Sequence, residues 1–138
     1  KQYFHRYPGI YEYMQRTRQV AAEQGFVETL LGRRLYTPDI DARNVMVRKA
    51  AERAAINAPL QGSAADIIKM AMIEVEKKLD QTRALLLLQV HDELVFDVLK
   101  SEADQMKKLV KESMESAVNL IVPMEAEVQL GANWLEAH

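Results

Sequence analysis

The chain has 138 residues, 49% of them apolar and 28% charged, with no cysteine and a formal net charge of −2. Such a composition suits one globular domain or a part of a larger one, and it excludes an intrinsically disordered chain, a disulfide scaffold and a thiolate metal site. No run of about 18 apolar residues is present to span a bilayer, and the opening KQYFHRYPG lacks the apolar core of a signal peptide, so a cytoplasmic protein with no membrane partner is expected.

Pro8 stands in the first turn of a predicted helix that runs to about Gln24, with Gly25 as its stop signal. FVETLL and RLYT flank Gly32, and aromatic and β-branched residues around a glycine read as a β-hairpin. PDIDARN is a loop. Helical spacing returns from Val45 to Asn57, through Val45, Val47, Ala51, Ala54, Ala55 and Ile56. Pro59 lacks an amide hydrogen and crowds the preceding turn, so it should kink or break that helix, and Gly62 loosens the same place. Ser63 with Asp66 resembles a capping box that opens a second helical run through Lys78. One bent helix and two abutting helices both fit this pattern.

Leu85–Val90 and Leu94–Leu99 are short, apolar and joined by a few polar residues, the pattern of two buried strands in a tight hairpin. Ser101 with Asp104 repeats the capping pattern ahead of a helix whose apolar positions are Ala103, Met106, Leu109, Val110, Met114, Ala117 and Val118, with Pro123 as its end. MEAEVQLG alternates apolar and polar residues and reads as a strand with one wet face. The expected fold class is therefore α+β: an antiparallel sheet packed with helices, preceded by a helical segment and a β-hairpin.

His91, Asp92 and Glu93 fall at the tip of the second hairpin. Two adjacent carboxylates about 4 Å apart repel by roughly 4 kcal/mol at an effective dielectric near 20. A hard divalent cation removes that repulsion, and Mg²⁺ commonly uses one or two carboxylates together with water and substrate phosphates. His91 is a poor ligand for Mg²⁺ and suits the positioning of a neighbouring group. An ordinary polar hairpin turn accounts for the same three residues. A two-metal site also needs a further carboxylate, and neither Asp97 nor Asp66 has a spacing that singles it out.

Arg53, Asn57 and Gln61 recur every four residues, so on a continuous helix they drift by about 40° per step and form one stripe of hydrogen-bond donors. Every correct base pair offers acceptors in nearly equivalent minor-groove positions, so such a row can check the shape of a pair without reading its identity. A solvated helix face explains the stripe as well, and Pro59 interrupts the run. Residues 1–61 hold 10 Lys/Arg against 6 Asp/Glu, a net of +4, while residues 62–138 hold 8 against 14, a net of −6. Arg33, Arg34, Arg43, Arg48 and Lys49 in the basic half suit backbone phosphates or plain solubility. Ser63 at a helix start would suit an anion. No Gly-rich phosphate loop, HExxH, GxSxG or Cys/His cluster is present.

Taken together, YFHRYPG, GFVETLLGRRLYTPDI, AERAAINAPLQGSAADIIKMAM, QVHDELVFDV and GANWLEAH occur in the order found in bacterial family A DNA polymerases, and the resemblance covers essentially the whole chain. It implies a C-terminal part of the polymerase region, with residues 1–44 from the fingers and residues 45–138 from the palm. By this resemblance Asp92 is a catalytic metal ligand, Glu93 the accompanying acid near the primer end, and His91 a contact or support for the primer terminus. Arg53, Asn57 and Gln61 match family positions that line the minor groove at the newly formed pair. The implied cofactor is Mg²⁺ in a two-metal site completed by an aspartate upstream of Lys1. The implied partners are primer–template DNA, a deoxynucleoside triphosphate and the remainder of the polymerase chain. The expected setting is replication and repair at the bacterial nucleoid, with the 138-residue piece inactive by itself. A DNA-binding module without catalysis and an interaction unit with neither role are the alternatives.

Overall fold

A computed structural model describes residues 2–81 and 83–137, so the His138 that closes the GANWLEAH motif lies outside the described residues. Helices α1 (Gln2–Arg6) and α2 (Pro8–Gln24) come first. Pro8 occupies the first turn of α2, where its missing N–H would have had no helical partner in any case. Gly25 closes α2 at φ 75°, in the left-handed region that a Cβ disfavours, and its N–H donates to the Ala21 carbonyl. The antiparallel pair β1 (Phe26–Glu28) and β2 (Arg34–Tyr36) follows, in the register Phe26↔Tyr36, Val27↔Leu35 and Glu28↔Arg34.

The chain divides into two compact units, residues 1–64 and residues 65–138. The core of the first gathers Ala21, Val27, Ile40 and Ala55, with Ala51 and Ala58 packed against them. The many alanines let the backbones of α2, β1 and the next helix come close.

That helix, α3 (Val45–Glu76), decides between the two arrangements the sequence left open: it runs through Pro59 without ending, one helix and not two. Proline removes the donor that the Ala55 carbonyl would otherwise receive, and two neighbouring carbonyls of the helix accept side-chain hydroxyls. The Tyr13 hydroxyl donates to the Ile56 carbonyl at 2.9 Å. The Ser63 hydroxyl donates to the Pro59 carbonyl and accepts the Leu30 N–H at 2.9 Å. Ser63 is therefore a buried residue inside a helix, neither a cap nor an anion site at a helix start.

In the second unit β3 (Ala84–Val90) and β4 (Glu93–Val98) form the expected hairpin, with a bulge between Leu86 and Leu88. Ala84 packs with Val75, Met106 and Val110, joined by Leu79, Phe96, Val98, Leu109 and Met114. The other face departs from the expectation of strands buried on both sides, because Leu85 and Leu88 stay 49% and 41% exposed. A 3₁₀ turn (Lys100–Glu102) leads into α4 (Ala103–Glu115), and its cap position falls on Glu102 without a side-chain hydrogen bond, so Ser101 does not cap as its spacing suggested. Helix α4 ends before Ala117 and well before Pro123. The fully buried Ser113 accepts a hydrogen bond from Lys78 Nζ at 3.1 Å.

Met124–Gly131 forms no strand. Alternation sets which face of a strand is buried, but a strand also needs a partner for its backbone, and among the described residues this segment pairs with none. Its Ala126 N–H donates instead to the Glu115 carboxylate at 3.1 Å. A short helix α5 (Trp134–Ala137) follows. Two antiparallel hairpins with helices packed on them make the fold α+β, as expected.

Gly62 sits where a Cβ would come within 2.5 Å of Thr29 Cγ2. Alanine gains about 0.8–1 kcal/mol of helix propensity over glycine, whereas overpacking costs about 1–3 kcal/mol. Gly62→Ala should therefore lower stability by about 1 kcal/mol in urea denaturation. In a Thr29→Ser background, which removes the methyl and keeps the hydroxyl, the same change should be neutral or stabilising.

Candidate functional site

The register of the second hairpin ends at Val90↔Glu93, which leaves His91 and Asp92 as a two-residue loop. His91 has φ 53°, and it is the only non-glycine with positive φ among the described residues. A positive φ at the first loop residue with a negative φ at the second matches the type II′ turn, whose first position favours glycine. Holding an ordinary side chain there costs of order 1–3 kcal/mol, and such strain concentrates at functional sites. His91 and Asp92 are exposed and Glu93 is half-buried.

Strand alternation puts Glu93, Val95 and Asp97 on one face of β4, opposite the face that carries Phe96 and Val98 into the core. Asp97 is four residues from Glu93, about 13 Å along the strand, too far to share a cation with it directly. Asp66 is buried in α3 at 4% exposure. No group of three His, Cys, Asp or Glu side chains placed to hold a metal occurs among the described residues. The donor types suit a hard cation: Asp92 and Glu93 are adjacent carboxylates at the end of the hairpin, and one or two carboxylates are a common protein share of a Mg²⁺ site.

The uninterrupted α3 turns the donor stripe from a pattern into geometry. Arg53, Asn57 and Gln61 are all exposed, and among the described residues their side chains make no hydrogen bond or ion pair. The exposed residues Ala50, Ala54, Ala64 and Ala65 lie beside them on the same helix, with exposed Lys49 and Leu60 as larger neighbours. The stripe lies in the first unit and the acidic turn in the second.

The basic residues divide by role. Arg34 lies 4.3 Å from the centre of the Phe26 ring and pairs with Glu28 at 2.8 Å. That hydrogen bond to Glu28 holds the guanidinium pKa above its ordinary value, against a smaller opposing effect of desolvation. Arg48 donates to the Ala42 carbonyl at 3.1 Å, tying the loop to α3. Arg43 and Lys49 are exposed and stay open to a partner.

One residue of the site escapes sequence reasoning. Gln89 pairs with Leu94, on the face that carries the core residues further along the ribbon, and its side-chain amide donates to the His91 carbonyl. The available signal is a polar residue closing a run of four leucines, at a position whose face is apolar elsewhere.

Comparison with known proteins places these features in a wider pattern. The family model described as DNA polymerase family A matches residues 1–136. DNA polymerase I of Pseudomonas aeruginosa is 54% identical over 138 residues, covering 99% of this chain and 15% of the relative. The thermostable DNA polymerase I of Thermus filiformis is 49% identical over 137 residues, 99% of this chain and 16% of the relative. A solved structure, the POL domain of Pol1 from M. smegmatis in complex with DNA primer-template and dNTP, superposes with a TM-score of 0.94 at 48% identity, over 99% of this chain and 24% of that one. The chain thus spans about one-sixth of the length of these two curated relatives.

The strained turn makes a direct prediction. His91→Gly should leave stability unchanged or raise it by up to about 2 kcal/mol, because relief of about 1–3 kcal/mol of strain offsets or exceeds the roughly 0.5–1 kcal/mol entropic cost of glycine, which accepts positive φ without a Cβ clash. A β-branched residue does not, so His91→Val should lose about 1–3 kcal/mol. Equal losses in denaturant titrations would show that the turn carries no strain.

Proposed function

The chain belongs to DNA polymerase family A, and from that premise we propose that it forms the C-terminal part of a DNA-directed DNA polymerase acting in replication and repair. Residues 1–44 are assigned to the fingers and residues 45–138 to the palm. The reaction is attack of a primer 3′-hydroxyl on the α-phosphate of a deoxynucleoside triphosphate, with pyrophosphate leaving. The reading rests on one coincidence: a strained turn with an exposed Asp92 beside Glu93, and an exposed row of unengaged donors, occur in a chain 48% identical to a polymerase domain solved with primer-template and dNTP.

Asp92 and Glu93 would hold Mg²⁺ through hard carboxylate oxygens, Asp92 as a ligand in the catalytic centre and Glu93 beside the primer end. A cation held there would supply Lewis acidity, lowering the pKa of an attacking hydroxyl and offsetting charge on the phosphate. Two carboxylates leave the coordination set incomplete, so a further acid comes from the remainder of the polymerase chain. His91, exposed at the tip of the turn, supports the primer terminus. Arg53, Asn57 and Gln61 donate to minor-groove acceptors that all correct pairs share, so they favour correct geometry without favouring a sequence. Exposed Leu85 and Leu88 are surfaces for the remainder of the chain to cover. Among the described residues no helix is long and apolar enough to cross a membrane.

Asp92→Ala in the full-length polymerase should cut primer extension at least about a thousandfold, roughly 4 kcal/mol of barrier, while primer–template affinity changes less than about twofold. Near-normal turnover would remove the metal role. Gln61→Ala should slow extension from matched and mismatched ends alike by about tenfold, a loss of about 1.4 kcal/mol. The isolated 138-residue chain should bind primer–template with a strong salt dependence yet add no nucleotide to it. Template-directed extension by that chain would show that its two carboxylates suffice.

A further inference from the structure

We infer that Gln89 is a positioning residue for the acidic turn, its side-chain amide fixing the peptide that aims Asp92. The inference rests on the polymerase reading of that turn and adds a part that neither motif spacing nor acidity assigns.

The two tight hairpin turns, I′ and II′, differ chiefly by a flip of their central peptide. In this hairpin the central peptide joins His91 to Asp92, and its carbonyl is the group that receives the Gln89 amide. A flip would change ψ of His91 and φ of Asp92 together, driving Asp92 to positive φ and swinging its carboxylate away from its present direction. Asp92 has no positive φ, whereas His91 does. The hydrogen bond from Gln89 therefore holds the form that is present.

Such a hold is needed because the local sequence does not supply it. Type II′ turns favour glycine first, and this turn has histidine there. Nearby packing contributes little, since Gln89, His91 and Asp92 are all exposed and the core made by Ala84, Phe96 and Val98 lies at the other end of the ribbon. A side chain two residues upstream, reaching over the loop, is a restraint that the structure provides. Gln89 also occupies a core-side position of β3, where an apolar residue would extend the pattern of Ala84 and Leu86. A displacement near 1 Å at a reacting centre can cost about 10²-fold in rate, so holding this peptide bears directly on activity.

The test uses the full-length polymerase with Gln89→Leu, similar in size but without the donor, and Gln89→Glu, isosteric but without the donor. Both should raise the Mg²⁺ concentration for half-maximal extension and lower the maximal rate by tenfold or more. Both should also speed amide hydrogen exchange in residues 89–95 while primer–template affinity stays within twofold. The decisive comparison is the His91→Gly background, where the turn specifies itself: there Gln89→Leu should lose less than threefold. Equal losses in the two backgrounds, or unchanged exchange with unchanged Mg²⁺ dependence, would overturn the inference. An Asp92→Ala control separates the levels: if it extends normally the polymerase reading of the turn fails, whereas an inactive control beside an unaffected Gln89→Leu overturns only the role given to Gln89.

Discussion

A proline in the middle of α3 would ordinarily divide that helix, and the first unit depends on its not doing so. Interior proline costs about 3 kcal/mol through a lost hydrogen bond and a clash with the preceding turn. The carbonyls around Pro59 are served from elsewhere: Tyr13 of α2 reaches the Ile56 carbonyl, and Ser63 within α3 reaches the Pro59 carbonyl. Ser63 also receives the Leu30 N–H, so the β1–β2 loop is tied to the helix at the point of weakness. Gly62 allows the approach, having no Cβ to meet Thr29. The continuous helix keeps Arg53, Asn57 and Gln61 in one row.

The second hairpin obeys a different constraint. Its strands are apolar enough to be fixed by burial on the face that meets Met106 and Val110 of α4. Its tip has none of that support and carries a histidine at positive φ beside two acids. Local preference and observed conformation disagree at this point, which is where functional sites in otherwise consistent folds are found. Placing strain at a two-residue loop confines it, because the paired residues Val90 and Glu93 resume the regular ladder at once.

Much of this was legible in sequence, and the failures share a cause. The bounds of α2 follow from Pro8 and Gly25, both hairpins from apolar runs around turn residues, and the acidic tip from its position between two strands. Ser63 and Ser101 have the spacing of caps, but spacing cannot tell whether a serine meets the start of a helix or a neighbouring loop, and Ser63 meets Leu30. The hydrogen bond that ties α2 to α3 beside Pro59 joins Tyr13 to Ile56, 43 residues apart in sequence. Met124–Gly131 alternates correctly and still forms no strand, because pairing needs a second backbone that alternation does not supply. Local pattern located the elements, and contacts distant in sequence decided whether they joined, broke or paired.

On the proposed reading, the donor stripe of the first unit and the acidic turn of the second do different chemical work. Selection by shape needs donors on a rigid surface that does not rearrange as successive base pairs pass, and a long helix braced by tertiary hydrogen bonds meets that need. Charge stabilisation at phosphorus needs carboxylates whose direction is fixed but whose oxygens stay open to water and phosphate, which excludes burial as the means of fixing them. A short strained loop on a ribbon buried on one face satisfies both demands: the ribbon anchors it, the exposed tip leaves the Asp92 oxygens accessible, and a side-chain hydrogen bond sets their direction. The exposed apolar face of the ribbon follows from the same arrangement, since a two-stranded ribbon is marginal alone. Leu85 and Leu88 are half-covered from within this chain, so full rigidity of the acidic turn calls for apolar surface from outside it.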